Sequence, residues 1–172
     1  RLLFVGAFDR PENIRAARLA IERILPLVRL EHPETTLRLV GAGMEPGFRA
    51  WAEARGADAA GFVENIAEEY RRAALLLAPM DAGGGIHVKC IEAMARALPV
   101  LATPVANDGL AAEPGRSILI GDTPEAMARE AVRALGDPAW ATRIGLAGQE
   151  HARREFGEER ALACIERAFG LA

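Results

Sequence analysis

The sequence predicts an α/β fold: a Rossmann-like, doubly wound parallel sheet of about six strands with helices on both faces. Short, uniformly apolar segments alternate with segments in which apolar residues recur at helical spacing. The apolar segments lack the polar–apolar alternation of a half-exposed sheet, which indicates strands buried on both faces. The chain has 172 residues, enough for one core-bearing domain, so a single domain is expected over 1–172.

Composition is that of an ordinary globular protein. Hydrophobic residues make up 51% and charged residues 26% of the chain, and the formal net charge is −3. This balance argues against a nucleic-acid partner or an anionic membrane surface. No apolar run reaches the roughly 18 residues of a membrane span. The two cysteines, Cys90 and Cys164, fall in helical patterns and are predicted to be free buried thiols, which fits a reducing, cytoplasmic compartment.

Four strands are predicted in the first half of the chain, at 2–5, 37–40, 59–63 and 74–78. The first is closed by Gly6, and the fourth is apolar throughout. Helices are predicted from Pro11 to about Leu25 and over 46–55 and 66–72. Pro26 is expected to bend or stop the first helix, because proline removes one helical hydrogen bond and crowds the preceding turn.

The second half of the chain adds predicted strands at 100–103 and 117–120. Thr123 can cap the next helix, and Pro124 fits its first position. From Asp137 to the end the pattern is helical, with a break near 156–157. Ligands of such a parallel sheet bind beyond the carboxyl ends of the strands, so a site is expected in the loops that follow the strands.

The most informative of these loops holds three glycines, Gly83, Gly84 and Gly85, and leads into a helix with Lys89 and Glu92 in its first turns. Glycines let a backbone approach an anion, a helix N-terminus supplies unsatisfied N–H groups, and Lys89 adds positive charge. Glu92 can accept hydrogen bonds from sugar hydroxyls. The pattern thus favours a phosphate and ribose site. The alternative is a flexible loop with a solvated charge pair, Lys89–Glu92 or Glu92–Arg96.

Other candidates lie near the same edge of the predicted sheet. His87 falls at the junction of loop and helix, where it could donate to a phosphate or be a partly exposed cap residue. Phe62 and Val63 come at the end of the third strand and could form a wall of a base-binding pocket; for Phe62 alone, core packing is the simpler interpretation.

Two further classes of site are disfavoured. The segment 41–43 follows a strand, but Pro46 stands where a dinucleotide fingerprint needs its third glycine, so a turn of small residues beside a cleft is predicted instead. The two cysteines and three histidines never cluster with metal-ligand spacing. No metal and no cofactor are therefore expected.

Several segments of the sequence resemble those of a known protein family. Four segments resemble the C-terminal nucleotide-sugar-binding domain of GT-B-fold glycosyltransferases, family 4, bacterial type. They are the run from Gly61-Phe62-Val63 through Tyr70, the strand LLLAP, the glycine loop, and KCIEAMARALPVLATPVANDGL. The opening RLLFVG, a helix and LRLVGAG fit the same domain, so the resemblance covers nearly the whole chain. The part of the sequence that is most specific for this family is Glu92-Ala93-Met94-Ala95, followed by Pro99-Val100.

The resemblance implies a donor site for a nucleotide diphosphate sugar, marked in the family by two glutamates eight positions apart. Glu92 matches the second, which holds the ribose hydroxyls, whereas Gly84 replaces the first, which usually contacts the donor sugar. This resembles a branch of the family in which a glycine-rich loop and a lysine, here Lys89, take over the region.

The first loop also departs from the family pattern. Ala7 follows Gly6 where an arginine is common, and Glu12 falls about where a lysine would lie. Arg10 is close enough to substitute for them. The predicted donor-binding residues are Gly83, Gly84, Gly85, His87, Lys89, Glu92, Phe62, Val63, Gly6 and Arg10.

The implied reaction is transfer of the sugar to an acceptor hydroxyl without a bound metal. The implied partners are the donor and an N-terminal acceptor domain of the same protein. In the family that domain carries the acceptor site and the usual catalytic base, and it is absent from this chain. We therefore expect a piece of a longer protein that binds donor but is inactive alone, and no catalytic residue is assigned within it.

Further expectations follow from the resemblance. They are a role in bacterial polysaccharide or glycolipid synthesis and a cytoplasmic location, with membrane association only through the missing half, at the inner face of the membrane. The alternative is a non-catalytic nucleotide-binding or interaction domain of the same fold, which Gly84 and the altered first loop favour. A third hypothesis is that the chain is one half of an epimerase or a phosphorylase with a GT-B-like fold.

Overall fold

A computed structural model describes residues 1–82 and 85–160 of the chain. Its strands are β1 Leu2–Val5, β2 Leu37–Val40, β3 Asp58–Gly61, β4 Leu75–Ala78, β5 Val100–Ala102 and β6 Leu119–Ile120. Its helices are α1 Pro11–Leu19, α2 Leu25–Glu31, α3 Pro46–Glu53, α4 Ile66–Arg72, α5 Val88–Ala95, α6 Pro104–Asn107, α7 Pro124–Gly136 and α8 Pro138–Phe156. Strands and helices alternate as the sequence predicts.

The six strands form one parallel sheet in the order β3-β2-β1-β4-β5-β6. The predicted Rossmann-like α/β fold is therefore confirmed. The chain runs outward from β1 to β3 and then returns to β4 on the other side of β1, so the loops after β1 and β4 diverge. This reversal of strand order opens a crevice at the carboxyl edge, where such sheets bind ligands.

The strands β1, β4 and β5 are buried almost throughout because they are apolar on both faces. All four residues of β4 are buried, as their uniformly apolar sequence predicts. The helices α2 and α7 pack against one another, as do α5 and α8. Cys90 is a free, fully buried thiol, as predicted, and burial raises its pKa to about 12. Cys164 lies outside the described residues.

The first helical region does not stop at Pro26, contrary to one of the two outcomes expected for it. Between α1 and α2 the residues Ala20–Ile24 form a π-helical turn, in which the Leu25 N–H donates to the Ala20 carbonyl five residues earlier. Such a widened turn accommodates a proline just after it, since Pro26 has no N–H to donate and needs space beside the preceding turn. The helical path then continues to Glu31.

The bounds of β3, β4, β5 and β6 differ from the prediction by one or two residues. Strand β3 ends at Gly61, where a positive φ of 72° and a register shift end its pairing with β2. Thr103 leaves β5 to cap α6, an unpredicted helix, by accepting from the Ala106 N–H. Ser117 precedes β6, and its hydroxyl accepts from the Glu113 N–H in a turn. The predicted cap of α7 is confirmed, because Thr123 accepts from the Ala126 N–H.

No helix in the described part of the chain is long and apolar enough to cross a membrane.

Candidate functional site

Three loops at the carboxyl edge of the sheet are tied together by backbone hydrogen bonds. The Gly6 N–H donates to the Val40 carbonyl at 3.0 Å, and the Gly41 N–H donates to the Gly61 carbonyl at 2.8 Å. Gly41 has a φ of 147°, and a Cβ there would collide with the Gly6 carbonyl oxygen. The prediction of a small-residue turn over 41–43 is therefore confirmed: the loops after β1 and β2 approach too closely for side chains.

A cleft of about 370 Å³ lies between the loops that follow β1 and β4. The predicted site residues that line it are Gly6, Arg10, Gly85, His87 and Lys89. Glu12, Asn13 and Met80 are among its other lining residues. Both α1 and α5 begin at this cleft, so the positive ends of two helix dipoles and their unsatisfied first-turn N–H groups converge there.

Lys89 carries the main positive charge of the cleft, and it is the only lysine of the chain. Its Nζ donates to Asn13 Oδ1 at 2.9 Å, contacts Met80 Sδ at 3.5 Å and lies 4.9 Å from the centre of the Phe4 ring. No ion pair with a carboxylate forms at Nζ among residues 1–82 and 85–160. Burial lowers the pKa of Lys89 below its usual value.

The arrangement leaves a largely buried ammonium group with only neutral contacts. Desolvation of a charge is costly unless an opposite charge compensates for it. An anion placed in the cleft would supply that charge, so the geometry suits a phosphate-bearing ligand.

Asn13 is a site residue that the sequence analysis did not identify. It is 7% exposed, accepts from Lys89 and donates through Nδ2 to the Ala7 carbonyl at 2.9 Å. It thereby connects α1, the loop after β1 and the first turn of α5. The available indication was a polar residue at position 13, on the face of α1 that buries Ala16 and Ala17.

His87 and Arg10 reach the cleft from opposite sides. His87 immediately precedes α5, and its buried Nε2 has no hydrogen-bond partner among the described residues. Burial and, to a lesser degree, the charge of Lys89 lower the pKa of His87, so the neutral imidazole is favoured near neutral pH. Arg10 is exposed at the start of α1. Both remain predicted ligand contacts that the structure brings to one cleft.

Glu92 lies one turn after Lys89 on α5, but it is not among the residues that line the cleft. Its Oε2 lies 3.0 Å from the hydroxyl of Tyr70, which is also 3.2 Å from the Lys89 carbonyl. Arg96 instead donates to the Glu92 backbone carbonyl at 2.8 Å and stacks on the Tyr70 ring. The alternative of a Lys89–Glu92 or Glu92–Arg96 ion pair is therefore wrong for the described structure.

Phe62 is 73% exposed, so its interpretation as a core residue is wrong. The strand ends one residue earlier, at Gly61, which releases Phe62 from the sheet. Val63 is partly buried against the core. Neither residue lines the cleft, and the pocket-wall prediction stays a prediction.

The glycine loop is described only at its ends. Gly83 and Gly84 lie outside the described residues, and Gly85 is exposed with a φ of 108°. Asp81, just before the glycines, receives two hydrogen bonds from Arg15 of α1, at 2.9 and 3.3 Å. This pair connects the start of the loop to the helix on the other side of the cleft.

No group of three His, Cys, Asp or Glu side chains in the described ranges is placed to hold a metal ion.

Solved structures of similar fold include glycosyltransferases. The chain matches Anabaena Alr3699/HepE, solved in complex with UDP, with a TM-score of 0.80 and 16% identity, over 99% of this chain and 49% of that one. It matches the C-terminal domain of the glycosyl transferase group 1 family protein LpcC from Francisella tularensis with a TM-score of 0.68 and 15% identity, over 91% of this chain and 86% of that one. At these identities the likeness shows the fold.

Sequence comparison is more specific. The chain is 32% identical to the D-inositol 3-phosphate glycosyltransferase of Nocardiopsis dassonvillei, in a match that covers 88% of this chain. The match spans only 38% of that relative's length. The family described as glycosyl transferases group 1 matches residues 1–137. The chain therefore belongs to the group 1 glycosyl transferase family.

Proposed function

We propose that this chain is the donor-binding domain of a glycosyltransferase and binds a nucleotide diphosphate sugar whose sugar is transferred to an acceptor hydroxyl. The observation that carries the proposal is the largely buried ammonium group of Lys89, which makes only neutral contacts among the described residues and lies where α1 and α5 begin. A diphosphate is the part of the donor that supplies negative charge at such a place.

The same groups would assist the reaction. The sugar leaves from a diphosphate, whose charge grows as the bond to the sugar breaks. Lys89, Arg10 and the first-turn N–H groups of the two helices would stabilise this charge without a metal, since they are already oriented toward the cleft. Glu92 would accept the ribose hydroxyls, and Phe62 and Val63 would flank the base.

The relatives support this proposal. The Nocardiopsis relative is a D-inositol 3-phosphate glycosyltransferase, and Anabaena Alr3699/HepE was solved with UDP and with UDP-glucose. Uridine nucleotides are therefore the first donors to test. The chain spans about two fifths of its curated relative, so an N-terminal acceptor domain is the proposed partner, and the chain alone would bind donor without transferring sugar.

The proposal extends to a role in bacterial polysaccharide or glycolipid synthesis, in the cytoplasm or at the inner face of the membrane. A second candidate is a non-catalytic nucleotide-binding domain. One observation favours it: the carboxylate-bearing Glu12 lines the cleft, where it opposes a diphosphate. Sugar transfer by a longer protein that contains this chain would decide between the two.

Isothermal titration of the 172-residue chain with UDP, GDP and ADP tests the donor site. We expect one nucleotide to bind saturably and its nucleoside, which lacks phosphates, to bind far more weakly. Lys89→Ala and Glu92→Ala should each weaken binding by about tenfold or more, because each removes a charge-assisted hydrogen bond. Arg129→Ala, at an exposed cation on α7, is the control. Absence of saturable binding by any nucleotide would refute the proposal.

A further inference from the structure

Tyr70 is the only tyrosine of the chain, and its side chain is 1% exposed. It comes from α4, on the crossover between β3 and β4, yet its hydroxyl reaches the first turns of α5. A buried hydroxyl has one proton to donate, and the two acceptors near it are Glu92 Oε2 at 3.0 Å and the Lys89 carbonyl at 3.2 Å. The carboxylate is the closer and the stronger acceptor.

The hydrogen bond leaves part of the Glu92 carboxylate available. A carboxylate offers about four acceptor sites on its two oxygens, and Tyr70 occupies one of them on Oε2. Among the described residues, no other side chain donates to Oε1 or Oε2. Arg96, the nearest cation on α5, binds the Glu92 backbone carbonyl and stacks on the Tyr70 ring instead. The carboxylate is thus oriented by one bond and open at its other oxygen.

We propose that Tyr70 is a positioning residue that holds the Glu92 carboxylate in the orientation needed to accept both ribose hydroxyls, and so makes the site selective for ribonucleotides over nucleotides that lack these hydroxyls. This inference rests on the proposed donor-binding function. The tyrosine remains protonated because burial and the neighbouring Glu92 raise its pKa well above the usual value. It therefore donates its proton at every pH at which the chain would bind a nucleotide.

The test measures a preference rather than an affinity alone. The dissociation constants of a ribonucleoside diphosphate and its 2′,3′-dideoxy analogue are compared in the wild-type chain and in Tyr70→Phe, which removes only the hydroxyl. In the wild type we expect the ribonucleotide to bind about tenfold to a hundredfold more tightly. In Tyr70→Phe this ratio should fall by about threefold or more, while the affinity for the dideoxy analogue changes less than about twofold.

Controls separate positioning from a merely structural effect. Thr142→Val removes another hydroxyl bond, to the Pro138 carbonyl on α8, and should leave the ratio unchanged. In Glu92→Gln the Tyr70→Phe change should have little further effect on the ratio, because the two residues act as one unit. Equal loss of affinity for both ligands in Tyr70→Phe would indicate a structural role and overturn the inference.

The remaining outcomes also distinguish the two proposals. If the wild type binds ribonucleotides and Tyr70→Phe keeps the full ratio, the positioning role is wrong and the donor site stands. If the wild type binds both ligands equally, Glu92 does not accept the ribose, and the Tyr70 inference fails with it. If no nucleoside diphosphate binds at all, both the donor site and the inference are refuted.

Discussion

At the scale of single residues, Lys89 lies in surroundings that favour a neutral side chain. Its contacts are an amide oxygen, a thioether and an aromatic face. A residue whose role is to bind a ligand often lowers the free energy of unfolding of the protein. Replacing a buried charge by an apolar group of similar length often raises it. Lys89 is thus the residue at which function and stability are expected to oppose each other.

Lys89→Met tests this opposition. We expect the free energy of unfolding of the unliganded chain to rise by about 1 kcal/mol, and affinity for a nucleoside diphosphate to fall at least about tenfold. Urea unfolding and calorimetric titration measure the two quantities, with Arg129→Met as the matched loss of an exposed cation. A variant that is less stable and binds normally would mean that Lys89 serves the fold.

The lowered pKa of Lys89 also predicts how binding depends on pH. An anionic ligand prefers the protonated amine, so affinity should be constant below the pKa of the free chain and fall up to about tenfold per pH unit above it. Because burial lowers this pKa, the fall should begin below 10.5, the usual value. Titrations between neutral and alkaline pH measure it. Lys89→Arg, whose charge persists, should flatten the curve if it still binds.

The sequence predicts Lys89 and Glu92 as charged residues of the site, but not the side chains that contact them. Their three-residue spacing places both in the first turns of one helix, and that spacing can be seen in the sequence. Asn13 and Tyr70 were missed because they contact α5 from 76 and 22 residues away in sequence. Such contacts arise only when β1 and β4 become neighbours in the sheet and the Tyr70 hydroxyl of α4 reaches α5, and residue types along the sequence do not indicate that adjacency.

At the scale of elements, the loops after β1 and β2 contact each other closely through glycines. Gly41 meets the Gly6 carbonyl and has a positive φ, whereas Gly47, in the first turn of α3, has open space around it.

Gly41→Ala and Gly47→Ala form a matched pair. We expect Gly41→Ala to destabilise the chain by about 2 kcal/mol or more, since both strain and collision result. Gly47→Ala should be neutral or stabilise it by up to about 1 kcal/mol, because alanine is the better helix former. Denaturant unfolding of both variants measures the difference. Equal effects would show that the two loops do not approach as described.

Another group of charged residues lies near the amino ends of β2 and β3. There Arg38 of β2 forms hydrogen-bonded ion pairs with both Glu69 of α4 and Asp58 of β3. Hydrogen bonds from Arg38, the largest cause, lower the pKa of Glu69. A lowered folded-state pKa stabilises the fold above the unfolded value, about 4.5, and this contribution is lost as pH falls through the folded value.

Glu69→Gln should therefore cost about 1–3 kcal/mol at neutral pH, with the gap to the wild type closing in acid. Denaturant unfolding at several pH values measures the gap. A gap that stays constant with pH would show that ionisation of Glu69 does not contribute.

Element types were predictable because apolar runs and helical spacing reflect burial directly. The boundaries of the strands and helices were not predictable, and each difference from the prediction has a local cause. The helical path continues past Pro26 because the π-helical turn before it leaves space for the proline ring. Phe62 left the sheet because Gly61 adopts a positive φ. Both depend on backbone conformation, which residue type alone does not determine.

At the scale of the whole molecule, we propose that the chain is one lobe of a larger reaction centre. Its sheet order places the cleft at the reversal between β1 and β4, and the match covers 38% of the curated relative. The chain alone should therefore bind a donor without transferring sugar from it. Incubation with donor and acceptor, followed by chromatography of the nucleotide, should show no released diphosphate. Turnover by the 172 residues alone would contradict this division.

We propose that a diphosphate binds at the first turn of α5, beside Lys89. Because Lys89 is the only lysine, a chain labelled with ¹⁵N-lysine gives a single backbone amide resonance, which reports on that turn without assignment. Titration with the nucleoside diphosphate that binds in calorimetry should shift this resonance, saturating at the calorimetric Kd, whereas the corresponding nucleoside should leave it in place. Calorimetric binding with no change in the Lys89 resonance would contradict diphosphate binding at this turn.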